Sequence, residues 1–184
     1  MIVEIIKRIK FWNNADRIGP DMLSTHWKLY FKTTMRKLCR CKFKSFGNEA
    51  EFRPGAYAES CSKIEIGANV VIRPGTFLYA DPLEGGGEII IEDDVLIAGG
   101  VHLYVDNHQF SDPNTPIINQ GYQPAIINNS IRIKCGAWIG AGVIILPGVV
   151  VGENSVVSAG SVVINSIPPR VVVAGNPAKV IRKI

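Results

Sequence analysis

The sequence predicts an all-β fold, a parallel β-helix of six-residue repeats with a helical segment before it and a tail after it. The first observation is an aliphatic residue at every sixth position from residue 133 to residue 163: Ile133, Ile139, Ile145, Val151, Val157 and Val163. The second is a small or slim residue four positions after each of them: Ala137, Val143, Val149, Ser155, Ser161 and Ile167. Because a period of six fits neither a helix nor a simple alternating strand, we expect short strands joined by tight bends, with aliphatic side chains pointing inward.

Composition narrows the class of protein. The 184 residues are 47% hydrophobic and 20% charged, as expected for one soluble globular core with a small appendage. The four cysteines contain no Cys-x-x-Cys motif, which argues against a zinc or disulfide framework and favours reduced thiols in a cytoplasmic protein. The N-terminal apolar run is short and interrupted by Glu4, so we expect neither a signal peptide nor a membrane span.

Residues 1–45 form a basic segment in which we predict two helices, separated by Gly19-Pro20. Its eleven Lys and Arg outnumber three Asp and Glu, a net charge of +8 that leaves −4 for the rest of the chain. We expect the apolar stripes of these helices to pack on the rest of the protein rather than on lipid. The charge marks either a solvated helix face or contact with an anionic partner such as a membrane surface. Nucleic acid is not expected, because no binding motif or aromatic stacking platform accompanies the charge.

Residues 46–168 are predicted to form the β-helix. The same bend is expected at three Pro-Gly pairs, which begin at Pro54, Pro74 and Pro147, because Pro and Gly make a tight turn at little cost. We predict that the coil ends near Pro168-Pro169. Residues 169–184 would then form a tail that caps the open end of the coil or lies along one side.

A long loop at about residues 109–130 interrupts the predicted coil directly after His108. It is longer than most connections in compact domains, and excursions of that length are usually functional or disordered. We favour a functional loop, because a mobile or neighbouring segment could close over the histidine.

Two histidines lie in the predicted coil, His102 and His108. We expect both side chains to point outward on adjacent sides, where they cannot share a metal ion within one chain, so no metal site is predicted. His108 is the better candidate for chemistry because it stands at the base of the loop, and a histidine can take up a proton near neutral pH. Its ring could be oriented by Asp106, by Asp112 or by a backbone carbonyl group.

Trp138 begins a series of apolar residues at the outward positions of the repeats: Ile144, Val150, Val156 and Val162. An exposed apolar column usually marks a subunit interface or a ligand groove. We therefore expect an oligomer, with a cleft between parallel coils suited to a long, thin ligand.

Three stretches of the chain carry a resemblance to a known family: residues 138–163, 167–169 and 174–182. Their Trp-Ile-Gly-Ala-Gly, Ile-Pro-Pro and Ala-Gly-Asn-Pro-Ala-Lys motifs resemble those of the hexapeptide-repeat acyltransferases, left-handed β-helix enzymes that use acetyl-CoA or a related acyl donor. The segment Asn107–Pro113 is similar to the sugar O-acetyltransferases of cell-surface polysaccharide and lipopolysaccharide synthesis. The resemblance implies a left-handed coil, against the usual right-handed crossover, and a homotrimer with active sites between subunits.

The resemblance also implies roles for single residues. His108 would be the general base, and Trp138, Asn107 and Asp106 would bind the acceptor. The turn at Gly140-Ala141 would supply a backbone N–H to the oxyanion of the tetrahedral intermediate. Acetyl-CoA would lie along the coil at Gly140, Ala141 and Ala159. Its phosphates would be bound in the tail by Lys179 and Arg182.

The leading hypothesis is an acetyl-CoA-dependent O-acetyltransferase that acts on a sugar hydroxyl in cell-surface polysaccharide or lipopolysaccharide biosynthesis. Its basic N-terminal segment would set substrate choice or bring the enzyme to the inner face of a membrane where lipid-linked sugars are assembled. The alternatives are a small-molecule or antibiotic acetyltransferase of the same fold, an N-acyltransferase of an amino sugar, a zinc-dependent carbonic anhydrase and a non-catalytic scaffold. A carbonic anhydrase would need three converging histidines, and a scaffold would need neither His108 nor a cationic tail.

Overall fold

The computed structural model of the chain describes residues 1–123 and 129–184. Its α-helices lie in the N-terminal segment: α1 (Ile2–Asn14), α2 (Leu23–His26) and α3 (Lys32–Lys42). Short 3₁₀ turns occur in that segment (Trp27–Tyr30), in the coil (Cys61–Lys63) and in the long loop that follows His108 (Ile117–Asn119).

The strands, numbered in chain order, form three sheets. Sheet A contains, in spatial order, β1 (Arg17–Ile18), β4 (Tyr57–Glu59), β7 (Phe77–Tyr79), β10 (His102–Tyr104), β13 (Ile144–Ile145) and β16 (Val162–Val163). Sheet B contains β14 (Val150–Val151), β11 (Ile131–Ile133), β8 (Ile89–Ile91), β5 (Ile64–Ile66) and β2 (Ser45–Phe46). Sheet C contains β18 (Ala178–Lys183), β17 (Val171–Gly175), β15 (Val156–Val157), β12 (Trp138–Ile139), β9 (Leu96–Ile97), β6 (Val71–Ile72) and β3 (Glu51–Phe52).

Successive strands of the coil visit the three sheets in turn. From β2 onward the chain passes through sheets B, C and A and then repeats that order up to β16. Strand pairing between coils is parallel, and the antiparallel pairs β1–β4 and β17–β18 lie at the two ends of the chain. The chain therefore winds as a three-sided parallel β-helix, as the period of six predicts.

The core fills the inside of this coil. All six aliphatic residues of the repeat are at most 1% exposed, and the six small or slim residues between them are buried as well. Each side of the coil uses about six residues, and its aliphatic side chains stack from one coil to the next, which builds three buried ladders.

The predicted apolar column is wrong in its placement. Trp138 and Val156 are in register on sheet C, Ile144 and Val162 on sheet A, and Val150 belongs to sheet B. Residues six apart lie on successive sides of a triangular coil, so these side chains spread over three faces rather than one.

The long excursion leaves the coil three residues earlier than the sequence predicts. Val105 is fully buried, and the chain then departs at Asp106 and returns at Ser130. The return is secured at β8, where the Glu88 N–H donates to Ser130 Oγ over 2.9 Å and the Ile131 N–H donates to the Glu88 carbonyl over 2.9 Å. Part of the predicted loop, residues 124–128, lies outside the described residues.

The N-terminal segment differs from the two predicted helices. Phe31 is extended (φ −121°, ψ 122°) and separates the 3₁₀ turn from α3, which packs Met35, Leu38 and Cys39 into the core. The packing prediction therefore holds for α3. For α1 it is wrong, because none of its residues is buried. Strand β1 joins the segment to the coil by pairing with β4.

The C-terminal tail is a β-hairpin that extends sheet C. The coil continues past Pro168-Pro169, because β17 pairs in parallel with β15, and β18 then folds back on β17. The predicted tail thus lies along one side of the coil as part of the sheet.

Candidate active site

A cleft of about 460 Å³ opens at the edge where sheet A passes into sheet B. Its strand side is formed by Glu59, Tyr79 and Tyr104, and its loop side by four residues of the excursion: Asp106, Asn107, His108 and Tyr122. The cleft therefore collects three of the residues that the sequence assigns to the site, namely the proposed base and two acceptor ligands.

His108 is held by the backbone of the excursion. Its Nδ1 lies 3.3 Å from the Gly121 carbonyl oxygen, and its ring stacks on Tyr122 with centroids 4.4 Å apart. A carbonyl can only accept, so Nδ1 carries the proton and Nε2 is left as the acceptor of the ring. Asp112 does not orient the ring, since its carboxylate accepts from the Asn114 N–H and the Thr115 hydroxyl. The orienting group is thus a carbonyl, one of the three possibilities that the sequence leaves open.

Asp106 is half-buried beside this histidine. Burial raises its pKa, and the carboxylates of Asp81 and Glu59 act in the same direction, whereas His108 opposes them. The cleft is consequently an acidic environment in which a further negative charge is unfavourable.

The raised pKa predicts a pH effect on stability. The folded protein binds the Asp106 proton more tightly than the unfolded chain, so this contribution is present below the ordinary pKa of Asp and is lost as the pH rises through the raised value. We expect Asp106→Asn to increase the free energy of unfolding relative to wild type at about pH 7 and to change it little at about pH 3, measured by urea denaturation.

Asp112→Asn is the matched control with the opposite sign. The hydrogen bond from Thr115 lowers the pKa of Asp112, so its contribution is present above the ordinary pKa and is lost on acidification. Its replacement should reduce stability near neutral pH. If Asp106→Asn instead destabilised the protein most at neutral pH, the fold would stabilise the charged carboxylate, and the raised pKa of Asp106 would be wrong.

An aromatic wall covers the outer face of sheet A, and the sequence analysis missed it. It consists of five rings in contact, of which the first is tilted against its neighbours and the others are stacked: Tyr57, Phe77, Tyr79, His102 and Tyr104. The Tyr79 and Tyr104 rings are 5.2 Å apart, and Tyr104 is held by a 2.8 Å hydrogen bond between its hydroxyl and His102 Nδ1. Strand register aligns Tyr57, Phe77 and His102, but uneven insertions between coils hide this alignment in the sequence.

A second cluster lies on the outer face of sheet C. Trp138, 49% exposed, is in register with Val156, which pairs with Val172, which in turn pairs with Arg182. The register shift in β17–β18 pairs Lys179 with Ala174, so Lys179 and Arg182 share this outward face although they are three residues apart. Sequence alternation alone would have placed them on opposite faces.

Two small residues lie at the corner between sheets C and A. Ala141 and Ala159 are exposed in stacked turns, and the Gly160 N–H donates to the Ala141 carbonyl over 2.8 Å. The sequence names the Gly140-Ala141 turn as the oxyanion donor, and of its two N–H groups that of Gly140 is already engaged, because it donates to the Val157 carbonyl over 2.8 Å. Within residues 1–123 and 129–184 the Ala141 N–H has no acceptor, so Ala141 is the remaining candidate donor.

The candidate acceptor residues and the candidate donor residues lie apart in one chain. The His108 cleft lies where the strands of sheet A end, and the Ala141 corner lies where they begin. Trp138 and the cationic hairpin β17–β18, which carries Lys179 and Arg182, lie farther around on sheet C. Outward side chains on different faces of a triangular coil diverge. The His108 cleft and the Ala141 corner of one chain therefore face in different directions.

The described residues contain no group of three or more His, Cys, Asp or Glu side chains placed to hold a metal ion. Nor does any helix among them combine the length and the apolar character needed to cross a membrane.

The chain is similar to known acetyltransferases. Residues 130–165 match the family model of the bacterial transferase hexapeptide, six repeats. A putative acetyltransferase of Saccharomyces cerevisiae, YJL218W, is 41% identical over 131 residues, which cover 71% of this chain and 61% of the relative. The galactoside O-acetyltransferase of Escherichia coli is 37% identical over 142 residues, which cover 77% of this chain and 64% of the relative. The chain thus spans somewhat less than two thirds of the length of these two relatives.

A solved structure covers almost the whole chain. A galactoside acetyltransferase in complex with coenzyme A superposes with a TM-score of 0.73 at 30% identity, over 99% of this chain and 80% of that one. The agreement in sequence and in three-dimensional structure establishes that the chain belongs to the hexapeptide-repeat transferase family.

Proposed function

We propose that this chain is an acetyl-CoA-dependent O-acetyltransferase that acts on a sugar hydroxyl in cell-surface polysaccharide or lipopolysaccharide biosynthesis. The observation that carries the proposal is the His108 ring, whose Nδ1–H is engaged by the Gly121 carbonyl at the edge of a cleft. Similarity to sugar acetyltransferases, one of them bound to coenzyme A, supports both the reaction and the acyl donor.

The chemistry follows from the tautomer of His108. Nε2 accepts the proton of the acceptor hydroxyl as the oxygen attacks the thioester carbonyl of acetyl-CoA. A tetrahedral oxyanion forms, for which the free Ala141 N–H of a neighbouring copy is the candidate donor. Collapse of the intermediate breaks the carbon–sulfur bond, and the proton on His108 passes to the departing thiolate, which leaves an acetylated sugar and free CoA.

We propose that the active unit is a homotrimer whose sites lie between subunits. The positions of His108 and Trp138 on different faces support this arrangement, because a neighbouring coil could present Trp138, Ala141 and the cationic hairpin to the cleft. We also propose a left-handed coil. The structural likeness to a member of the family supports that hand, since a coil of opposite hand would not superpose.

The cleft favours an uncharged sugar. Tyr79 and Tyr104 present apolar ring surface, while Glu59, Asp106 and Asn107 offer hydrogen-bonding groups to hydroxyls. A uronic or sialic acid would place its carboxylate next to Asp106, whose own charge is already disfavoured there. The acceptor would therefore be neutral at the end that enters the cleft.

Thiol release from acetyl-CoA with a panel of acceptors tests the function. We expect turnover with neutral mono- or oligosaccharides, little turnover with uronic acids, and an ester product in mass spectrometry. Preference for an aminoglycoside antibiotic would favour the small-molecule alternative. Absence of acetyl-CoA binding by calorimetry would favour a scaffold.

The cationic hairpin yields a prediction about the donor. Lys179 and Arg182 share the outward face of sheet C, so we expect Lys179→Ala and Arg182→Ala to raise the KM for acetyl-CoA about tenfold with kcat little changed, since each removes a charged hydrogen bond to phosphate. Lys183→Ala is the matched control, because Lys183 is paired with the inward-facing Val171. Equal effects of the three substitutions on KM would mean that only net charge matters.

We place this activity in the cytoplasm, at the inner face of a membrane where lipid-linked sugars are assembled. The four cysteines are all free, as a reducing compartment requires.

A further inference from the structure

Helix α1 (Ile2–Asn14) exposes an unusual amount of apolar surface. None of its 13 residues is buried, and five aliphatic side chains are between 39% and 71% exposed: Ile2, Val3, Ile5, Ile6 and Ile9. Contiguous exposed apolar patches on soluble proteins usually mark an interaction site. The core formed by the described residues does not include this helix, so its apolar face is available to another surface.

The charges of α1 are separated from its apolar face. At 3.6 residues per turn, Ile2, Ile5, Ile6 and Ile9 fall on one side of the helix. Lys7, Arg8 and Lys10 lie outside that side and flank it. A helix with one apolar face and a basic polar face is the form that lies in a membrane interface.

Among the described residues, the side-chain hydrogen bonds that hold α1 to the rest of the protein are at its C-terminal end. Lys42 Nζ donates to the Asn13 carbonyl over 2.6 Å, and Ser24 Oγ donates to the Asn13 side-chain oxygen over 3.2 Å. These contacts attach the end of α1 to α2 and α3 and leave its apolar face uncovered. That face can therefore meet an external surface without any rearrangement of the coil.

We propose that α1 docks the protein onto an anionic lipid bilayer, with the isoleucine face in the headgroup boundary and the lysines against lipid phosphates. Residues 1–45 carry a net charge of +8, which complements an anionic leaflet and would repel the same segment of another copy. Thirteen residues of helix are about 20 Å long, too short to cross the hydrocarbon core, so the helix would lie in the surface.

Docking would deepen the proposed function. The role of docking, which is to bring the cleft to acceptors that are themselves attached to lipid, rests on the proposed function; the docking itself does not. The binding of α1 to lipid and the transfer of an acetyl group are separate events, so each can fail without the other.

Vesicle co-sedimentation of the full chain tests the docking. We expect binding to mixed phosphatidylglycerol and phosphatidylcholine vesicles, weakened by salt, and little binding to phosphatidylcholine alone. The double variants Ile5→Ser/Ile6→Ser and Lys7→Glu/Lys10→Glu should each bind anionic vesicles at least about tenfold more weakly. The matched controls are Leu83→Ser, an exposed apolar residue of the coil, and Lys134→Glu, an exposed lysine of the coil; both should bind as wild type.

Two further measurements separate the possible failures. Oligomeric mass by light scattering should be the same for wild type and both α1 variants, and thiol release with a water-soluble sugar should be retained. The docking is overturned if wild type does not distinguish anionic from neutral vesicles. It is also overturned if the isoleucine variant changes the oligomeric mass, because a second copy would then cover this face. Vesicle binding without any acetyl transfer would overturn the proposed function and leave the docking intact.

Discussion

His108→Ala is expected to lower kcat/KM for acetyl transfer by at least about a hundredfold, the usual contribution of a general base. The substitution removes Nε2, the group left free to take the hydroxyl proton when the Gly121 carbonyl engages Nδ1. His108 itself is exposed at the cleft, so the fold and the oligomeric mass should persist. Steady-state thiol release, together with calorimetric binding of acetyl-CoA, separates loss of catalysis from loss of donor binding.

His102→Ala is the matched control for this prediction. Its ring does not line the cleft; it is hydrogen-bonded to the Tyr104 hydroxyl and stacks on Phe77. Its loss should therefore weaken acceptor binding only slightly and leave proton transfer in place. Near-wild-type turnover of His108→Ala would show that another group removes the proton. Equal losses in both variants would point to damage to the aromatic wall rather than to the loss of a base.

The fold was largely predictable because its period is visible in the residues that carry it. Each buried aliphatic of the 133–163 stretch occupies an inward position, and Gly55, Gly75 and Gly148 have the positive φ that the recurring Pro-Gly bend requires. Because a coil of this kind repeats the same local environment, the six-residue pattern predicts the buried and exposed positions equally well on each of its three sides. The pattern did not predict which side each repeat occupies, and the apolar column was therefore misplaced.

The candidate site was predictable in its residue types but not in its geometry. The sequence could place His108 beside Asp106 and Asn107, since they are neighbours in the chain. It could not show that Gly121, thirteen residues away, would orient the ring, because that contact depends on how the excursion folds back. It could not show the bulge that aligns Lys179 with Arg182, because one unpaired residue is enough to change which face a side chain occupies.

The helix α1 shows a different limit of sequence reasoning. Its apolar spacing correctly predicts a helix, yet an amphipathic pattern is the same whether the apolar face is covered by protein or by lipid. Only the packing decides between the two, and here Met35 and Leu38 of α3 take the place against the coil. The charge of the segment, which the sequence does show, then becomes informative about the partner of α1.

Gly140→Ala is expected to lower the free energy of unfolding by about 3 kcal/mol, because a side chain has no room between two coils. A Cβ atom at Gly140 would lie 2.6 Å from the Ala159 nitrogen and 2.7 Å from the Val157 oxygen, both backbone atoms that cannot move aside. Relief of the clash must separate the corner turns that carry Ala141 and Ala159. The variant should therefore also bind acetyl-CoA more weakly, and urea denaturation with calorimetry measures both effects.

Gly142, in the same turn, is glycine for the opposite reason. No heavy atom of the described residues lies within 4 Å of its would-be Cβ, but its φ of +67° requires the left-handed conformation. Asparagine adopts that conformation more readily than other residues, so Gly142→Asn should cost less than about 1 kcal/mol, whereas Gly140→Asn should be at least as damaging as Gly140→Ala. Equal losses from asparagine at the two positions would mean that turn conformation, rather than the close approach of neighbouring coils, is what requires glycine here. A larger loss of stability for Gly140→Asn than for Gly142→Asn would thus support the close spacing of the coils that positions the Ala141 N–H.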